Sequence, residues 1–398
     1  MRSPGGISSK SSQTLMRGRR RAAVAVAVGT LAVTACSSHS APGSSAAAPD
    51  AAVGVPLATS VATSLGNWAT FPMGHLDSPS DTFWEAFTLP AGSDKWVERT
   101  PPNVADNGGL VTAPTSTGVV VGFRPSHLLS FSPLAVTNDG GATYMPGLVS
   151  GGLANVPDAL SLAPNGRAAA LTDTQVLTST AALSAWQTLI TVAAIKASPA
   201  GVACGVQQLT AIMTNEGGVF VGAACSTPGV VGLFQQAGSR FVSANVQLPS
   251  ADAKASVEVL RIVPYNQGVA ALLGVRDGST TGYLAAWNSS PGSAAWTLSA
   301  PQTSSGVLIS TAVAPGAGFG VLTSGSSNRL AAAAIAGQGS NWAQLGAPPA
   351  GTATISVSAN RTDALVVDSA TFTDYRLTNG EWVKAQTIQV PIPYGSSG

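Results

Sequence analysis

Lys95-Trp96-Val97-Glu98 places an aromatic ring just after a turn and at the head of a short strand. The arrangement returns as Thr143-Tyr144-Met145-Pro146, Ala185-Trp186-Gln187-Thr188, Arg240-Phe241-Val242-Ser243, Ala295-Trp296-Thr297-Leu298, Asn341-Trp342-Ala343-Gln344 and Glu381-Trp382-Val383-Lys384. The seven aromatics stand 48, 42, 55, 55, 46 and 40 residues apart. Between them lie β-rich runs such as Gly118-Val119-Val120-Val121-Gly122-Phe123, Thr354-Ile355-Ser356-Val357 and Ala364-Leu365-Val366-Val367, broken by Gly, Pro, Asn and Asp. No window carries an apolar stripe at helical spacing beyond two or three turns, so the chain reads as all-β. A period of this size, with room for four short strands, is the signature of a β-propeller of four-stranded antiparallel blades. Seven occurrences imply about seven blades, and six or eight also fit the spacing. Each blade must bury both faces against its neighbours, and a ring on the outer strand fills the wedge that widens away from the axis. A pair of β-sandwiches is the competing architecture, but it gives the repeat no reason to be regular.

Composition supports a turn-rich exported domain. The 398 residues include 44 Gly and 26 Pro, and only 9% are charged, against roughly 25% in an ordinary globular protein. Six of the 19 basic residues lie ahead of position 22, which leaves 13 basic against 18 acidic, a net charge of −5, beyond position 35. A basic footprint for nucleic acid is therefore not expected.

Residues 1–35 are read as a signal. Arg17-Gly18-Arg19-Arg20-Arg21 is followed by fourteen uncharged residues, 22–35, too short for a comfortable permanent span. The stretch ends Val33-Thr34-Ala35-Cys36, which resembles the bacterial lipobox. That resemblance implies diacylglyceryl modification of the Cys36 thiol, cleavage before it and a further acyl chain, palmitate being typical, on the new N-terminus. Two or three chains make a stable bilayer anchor where one does not. Residues 36–58, rich in Ser, Ala and Pro, then form a flexible tether, and 59–395 the propeller. The expected location is the outer face of the cell membrane, by either the general or the twin-arginine export route. Arg outnumbers Lys 14 to 5 in an Ala-, Gly- and Val-rich chain, usage that resembles actinobacteria.

Cys204 and Cys225 flank two strand-like runs joined by Thr214-Asn215-Glu216-Gly217-Gly218. Their midpoint falls in that turn, so a hairpin closing there brings the thiols together. Export favours a disulfide over two buried thiols. No metal site is expected, because no cysteine lies near His75 or His127, and no cofactor motif is present.

Thr137-Asn138-Asp139-Gly140-Gly141-Ala142-Thr143-Tyr144 resembles the Asp box of sialidase-like propellers, with Thr137, Asp139, Gly141 and Thr143 matching and Tyr144 standing for the usual Trp. The resemblance implies a structural turn on the outside of one blade, in which the Asp139 carboxylate accepts backbone hydrogen bonds. Active members of that family need an arginine cluster, a Tyr–Glu nucleophile pair and an acid/base Asp. Phe123-Arg124-Pro125 is the nearest match to the first of these, and the remaining arginines, Arg261 among them, sit in no matching motif.

Acidic residues are concentrated between 77 and 158, beside His75, His127, Arg99 and Arg124. The weak catalytic candidates are Asp77, Asp81, Asp106 and Arg124, with Trp68, Phe83 and Trp84 as a stacking platform for a sugar ring. The favoured reading is a non-enzymatic propeller that binds an envelope glycan or protein. The alternative is a sialidase-like glycoside hydrolase or lyase using carboxylates of that stretch. Two carboxylates about 5–10 Å apart in one funnel would favour hydrolysis, whereas an apolar or Ser/Thr-lined channel would favour binding. A purely structural role stays open.

Overall fold

The computed structural model describes residues 58–76, 81–103, 108–124, 130–180, 183, 185–289, 295–314, 316, 318–325, 329–335 and 342–391. The chain divides into two units, 1–48 and 49–398; the first lies outside the described residues, as does Cys36. All that follows concerns the second.

Seven four-stranded antiparallel units follow one another along the described chain, the first and sixth, and the fourth and fifth, being hydrogen-bonded into larger sheets, with one further short strand, Gln302–Ser304, on the fifth. Blade 1 comprises Ala58–Thr63, Gly66–Gly74, Thr82–Pro90 and Val97–Glu98. Blade 2 comprises Leu110–Pro114, Val119–Phe123, Ser132–Thr137 and Met145–Val149. The innermost strands of blades 3 to 7 are Leu160–Leu162, Val206–Asn215, Ser256–Tyr265, Val307–Ala314 and Thr352–Val357, and their fourth strands end at Thr191, Ser243, Leu298, Gln344 and Gln389. The expected propeller is thus the fold, with seven blades.

Antiparallel order gives the ring two distinct faces. First-to-second and third-to-fourth turns lie on one, the turn face. Second-to-third turns and the links between blades lie on the other, the connection face. The backbone contact Gly74 N–Ser369 O (3.0 Å) joins blade 1 to blade 7 at the connection face, and Val390 N–Ala370 O (2.9 Å) lies within blade 7 on that same face.

The periodic aromatics occupy the seam between each blade and the one before it. Tyr144 packs with blade 1, Trp296 with blade 4, Trp342 with blade 5 and Trp382 with blade 6. Three of them also reach the main chain just past the preceding blade's outer strand. The Tyr144 hydroxyl donates to Arg99 O, the Trp296 indole to Ala244 O at 2.7 Å and the Trp342 indole to Ala300 O at 3.0 Å. Ring burial and a satisfied polar tip explain why large amphipathic aromatics, rather than leucines, recur here.

Blades 1 and 7 are each built from one continuous stretch, so among the described residues no strand is exchanged to lock the ring. Side chains close it instead. Phe71, Phe87 and Phe372 stack, the closest pair 4.3 Å apart, with Trp96 edge-on to Phe372 at 6.3 Å. Burying one such ring stabilises by roughly 1.5–3 kcal/mol. Around the stack, the Trp96 indole donates to Asp363, and Arg361 bridges Asp363 (2.6 Å), Asp374 (2.8 Å) and the Asp94 carbonyl. Nearer the axis, the first strand of blade 1 pairs in parallel with that of blade 6, Thr59 opposite Thr311. Ser60 and Asn67 then reach sideways to Ile355 O and Ser356 Oγ, so the innermost strand of blade 7 packs against blade 1 without entering that pairing.

Two short helices, α1 (Val192–Ala197) and α2 (Pro199–Cys204), interrupt the link between blades 3 and 4. Ser198 ends α1 and caps α2, its hydroxyl accepting from Gly201 N at 3.0 Å. The expected disulfide joins Cys204 to Cys225, with Cα atoms 5.0 Å apart. The hairpin closes at Asn215 and Gly218 as expected, but Val206, not Cys204, lies opposite Cys225. Cys204 is the last residue of α2, so the bond ties the helical link to the blade 4 hairpin.

Candidate functional site

A cavity of about 430 Å³ lies on the axis, among the ends of the innermost strands of six blades. Val61 comes from blade 1, Ala113 from blade 2, Leu160 from blade 3, Met213 from blade 4, Val263 from blade 5 and Val313 from blade 6. Blade 7 contributes nothing to the wall, because blades 1 and 6 pair directly across its inner edge. The exposed Ser64 and Ser116 mark the mouth on the turn face, and Thr63, Thr115 and Ser161 add hydroxyls around it. The wall residues include no aromatic ring.

The inner end carries Asp158 and Arg261, the only two charged wall residues among the described residues. They bind each other, Arg261 Nε to Asp158 Oδ1 at 2.6 Å. The other Asp158 oxygen accepts from Ile262 N at 3.2 Å. Arg261 Nη1 donates to Thr311 Oγ1 at 3.0 Å and to Thr59 Oγ1. One guanidinium therefore ties blade 5 to blades 1, 3 and 6 beside the axis. A register shift between Val259 and Arg261 places this arginine out of step with the strand's earlier alternation. Burial pushes the Asp158 carboxyl up from its ordinary value, and Arg261 opposes that shift. Other inter-blade bonds continue the ring: Ile212 N to Asp158 O at 3.2 Å, and Thr210 Oγ1 to Val259 O at 2.6 Å.

The residues singled out from sequence fall elsewhere. Asp77 and Asp106 lie outside the described residues, as does His127. Asp81 is exposed on the connection face, its carbonyl accepting from His75 N. Arg124 directly follows the second strand of blade 2, also toward the connection face, and is 6% exposed. Its Nη1 donates to Asn155 Oδ1 at 2.7 Å, and its guanidinium lies 5.5 Å over the Trp84 ring. Burial lowers its pKa to about 10. Neither residue lines the cavity. Trp68, Phe83 and Trp84 are 1%, 7% and 6% exposed, so they are core rings between blades and not a stacking platform; inward-facing strand positions claimed them.

The Thr137–Tyr144 turn joins the third and fourth strands of blade 2 on the turn face. Asp139 accepts from the Thr143 hydroxyl at 2.6 Å, the Thr143 amide at 3.0 Å and the Thr137 hydroxyl at 2.8 Å, which holds its carboxyl well below the usual range. Gly141 has φ +86°, and a Cβ there would meet the Tyr144 hydroxyl at 2.8 Å.

Sequence reasoning passed over Arg261 because it matched no motif. Its signal was physical: Val257-Glu258-Val259-Leu260-Arg261-Ile262-Val263 sets two charges inside an otherwise apolar strand. Among the described residues no cluster of three or more His, Cys, Asp or Glu is placed to hold a metal, and no helix is long and apolar enough to cross a membrane.

No known protein family matches the chain, and no curated protein does. Solved structures are similar in fold. The GH74 xyloglucanase from Xanthomonas campestris is similar over 84% of this chain and 55% of its own, at 12% identity and a TM-score of 0.52. This chain thus spans about half that enzyme's length. The SapL1 lectin in complex with alpha methyl fucoside aligns over 85% of this chain and 98% of its own, at 12% identity and a TM-score of 0.41. A PL25 ulvan lyase aligns over 70% and 82%, at 10% identity and a TM-score of 0.42. At such identities the likeness is one of architecture, and the chain shares with the xyloglucanase a β-propeller fold.

Proposed function

We propose that the protein is an exported lipoprotein, anchored to the outer face of the cell membrane through an acylated Cys36, whose propeller binds an envelope constituent without turning it over. The observation that carries the binding half is the cavity wall. It offers a single carboxylate, Asp158, and that carboxylate is bound to Arg261 and to a backbone amide. Hydrolysis of a glycosidic bond ordinarily uses two carboxyl groups, one to donate a proton and one to attack or to activate water. An apolar wall with hydroxyls at its mouth meets the requirements of a binding site instead. An envelope glycan or protein is the favoured partner, and only the portion of it that enters the apolar cavity is constrained by the wall. The hydrolase or lyase alternative depends on the carboxylates of 77–158. Of these, Glu85 is buried and accepts from the Thr100 hydroxyl, and Asp81 stands exposed away from the cavity.

Two measurements test the two halves. Metabolic labelling with an alkynyl palmitate should mark the protein and vanish in Cys36→Ser; labelling that survives the substitution sinks the anchor. Incubation with isolated envelope should retain the protein while releasing no new reducing ends or unsaturated sugars. Steady product release would replace the binding reading with the enzymatic one.

A further inference from the structure

We infer that the ligand of the axial cavity is a neutral aliphatic molecule or chain segment, held by shape and apolar burial with a hydroxyl or amide toward the mouth. This rests on the cavity's being the binding site. Three observations set the class. The volume of about 430 Å³ lies within the roughly 300–1,000 Å³ of small-molecule sites. Nothing in the wall offers a sugar ring a face to stack on; the wall is made of residues such as Val61, Leu160, Ile212, Met213, Val263 and Val313. Its two charges neutralise each other at 2.6 Å, so no net charge awaits a counter-ion. An anionic head pushed to the inner end would have to compete with Asp158 for Arg261, and one left among the apolar wall residues would lose its water without a partner. The mouth, by contrast, has Ser64, Ser116, Thr63 and Thr115 to satisfy a neutral polar group. Thr112, another wall residue, has a buried hydroxyl without a partner, which adds one unmet hydrogen bond beside the cavity.

The test uses the 398-residue chain with its methionine methyls labelled, because Met213 is one of only five methionines and lines the wall. Met213→Leu assigns its resonance. Three probes are titrated: 1-decanol, decanoate and maltotriose. Decanol is expected to shift the Met213 methyl saturably, with decanoate at least about tenfold weaker because of its charge and maltotriose without effect there. Ser64→Trp and Ser116→Trp, both at exposed mouth positions that leave the core untouched, are expected to weaken decanol at least about tenfold by blocking the opening. Decanoate or maltotriose acting on Met213 as strongly as decanol would overturn the ligand class while keeping the cavity as the site. Decanol binding unchanged in both tryptophan variants would overturn the inference by placing the probe elsewhere. A Met213 methyl that responds to none of the three would overturn both the inference and the cavity reading beneath it.

Discussion

Glu258 and Arg261 lie three residues apart on the innermost strand of blade 5, yet only one found an ionic partner. Glu258 is fully buried, and neither carboxylate oxygen has a hydrogen-bond partner among the described residues. It sits opposite Gly274, which in turn sits opposite Tyr283, and burial, with a lesser push from the Glu258 charge, raises the Tyr283 phenol. Burial pushes the Glu258 pKa up to about 8. The sign of the consequence is fixed. The unfolded chain releases this proton near the ordinary value of 4.5 and the folded chain holds it to about 8, so stability is full below the first and falls as pH rises through the second. At about 1.4 kcal/mol per unit, the total is on the order of 5 kcal/mol. Asp374, raised to about 7 by burial and by Asp363 beside it, acts in the same direction. Urea denaturation from pH 4 to 9 should show wild-type stability declining across that window. Glu258→Gln should match wild type near pH 4, exceed it at pH 9 and keep the part of the slope that comes from Asp374 and the other buried carboxyls raised in the same direction. A variant that loses stability at pH 9 would show the carboxylate to be satisfied after all. Neither residue's role was legible from sequence, although their oddity was. The partner of Arg261 is Asp158, 103 positions earlier, and only the ring's closure brings the two together.

At the scale of the element, the outer-strand aromatic is where sequence and structure agree most closely. Its spacing gave the blade number, because each blade needs one ring to fill its seam with the blade before. The sequence did not disclose that the ring's polar tip also stitches that seam. For Trp296 the two contributions separate. Trp296→Phe keeps most of the ring and loses the bond to Ala244 O, an expected cost of about 1–2 kcal/mol. Trp296→Ala empties the seam between blades 4 and 5, an expected cost of about 3–5 kcal/mol. Thermal and urea unfolding of the pair measures the split, and equal losses would mean that the bond to Ala244 carries the whole effect. The disulfide shows the opposite limit of legibility. The pairing was readable from the hairpin's midpoint, but α2 was not, since six residues make too short a stripe to register as helix. The loop candidates failed for a related reason: a run of acidic residues along the chain is not a cluster in a ring whose successive loops alternate between two faces.

For the whole molecule, Arg261 complements the side-chain closure between blades 7 and 1 with a tie among blades 1, 3, 5 and 6. Its bonds to Asp158, Thr59 and Thr311 join four blades beside the axis. Arg261→Met should leave Asp158 buried without a counter-charge and cost about 3–5 kcal/mol in urea unfolding. Adding Asp158→Asn should recover a large part of that loss by removing the stranded charge. A single variant within 1 kcal/mol of wild type, on the scale of about 3–5 expected, would show that the blades hold the ring without this contact.

Each blade is a single uninterrupted stretch of chain, and Ala58 and Val390, near the two limits of the described domain, pack in one cluster where blade 7 meets blade 1. In genetic terms such a domain is modular. A duplication or deletion bounded by two inter-blade links adds or removes a whole blade and leaves no half-blade to repair. A circularly permuted gene that joins the two limits by a short linker and opens at another link would encode seven intact blades.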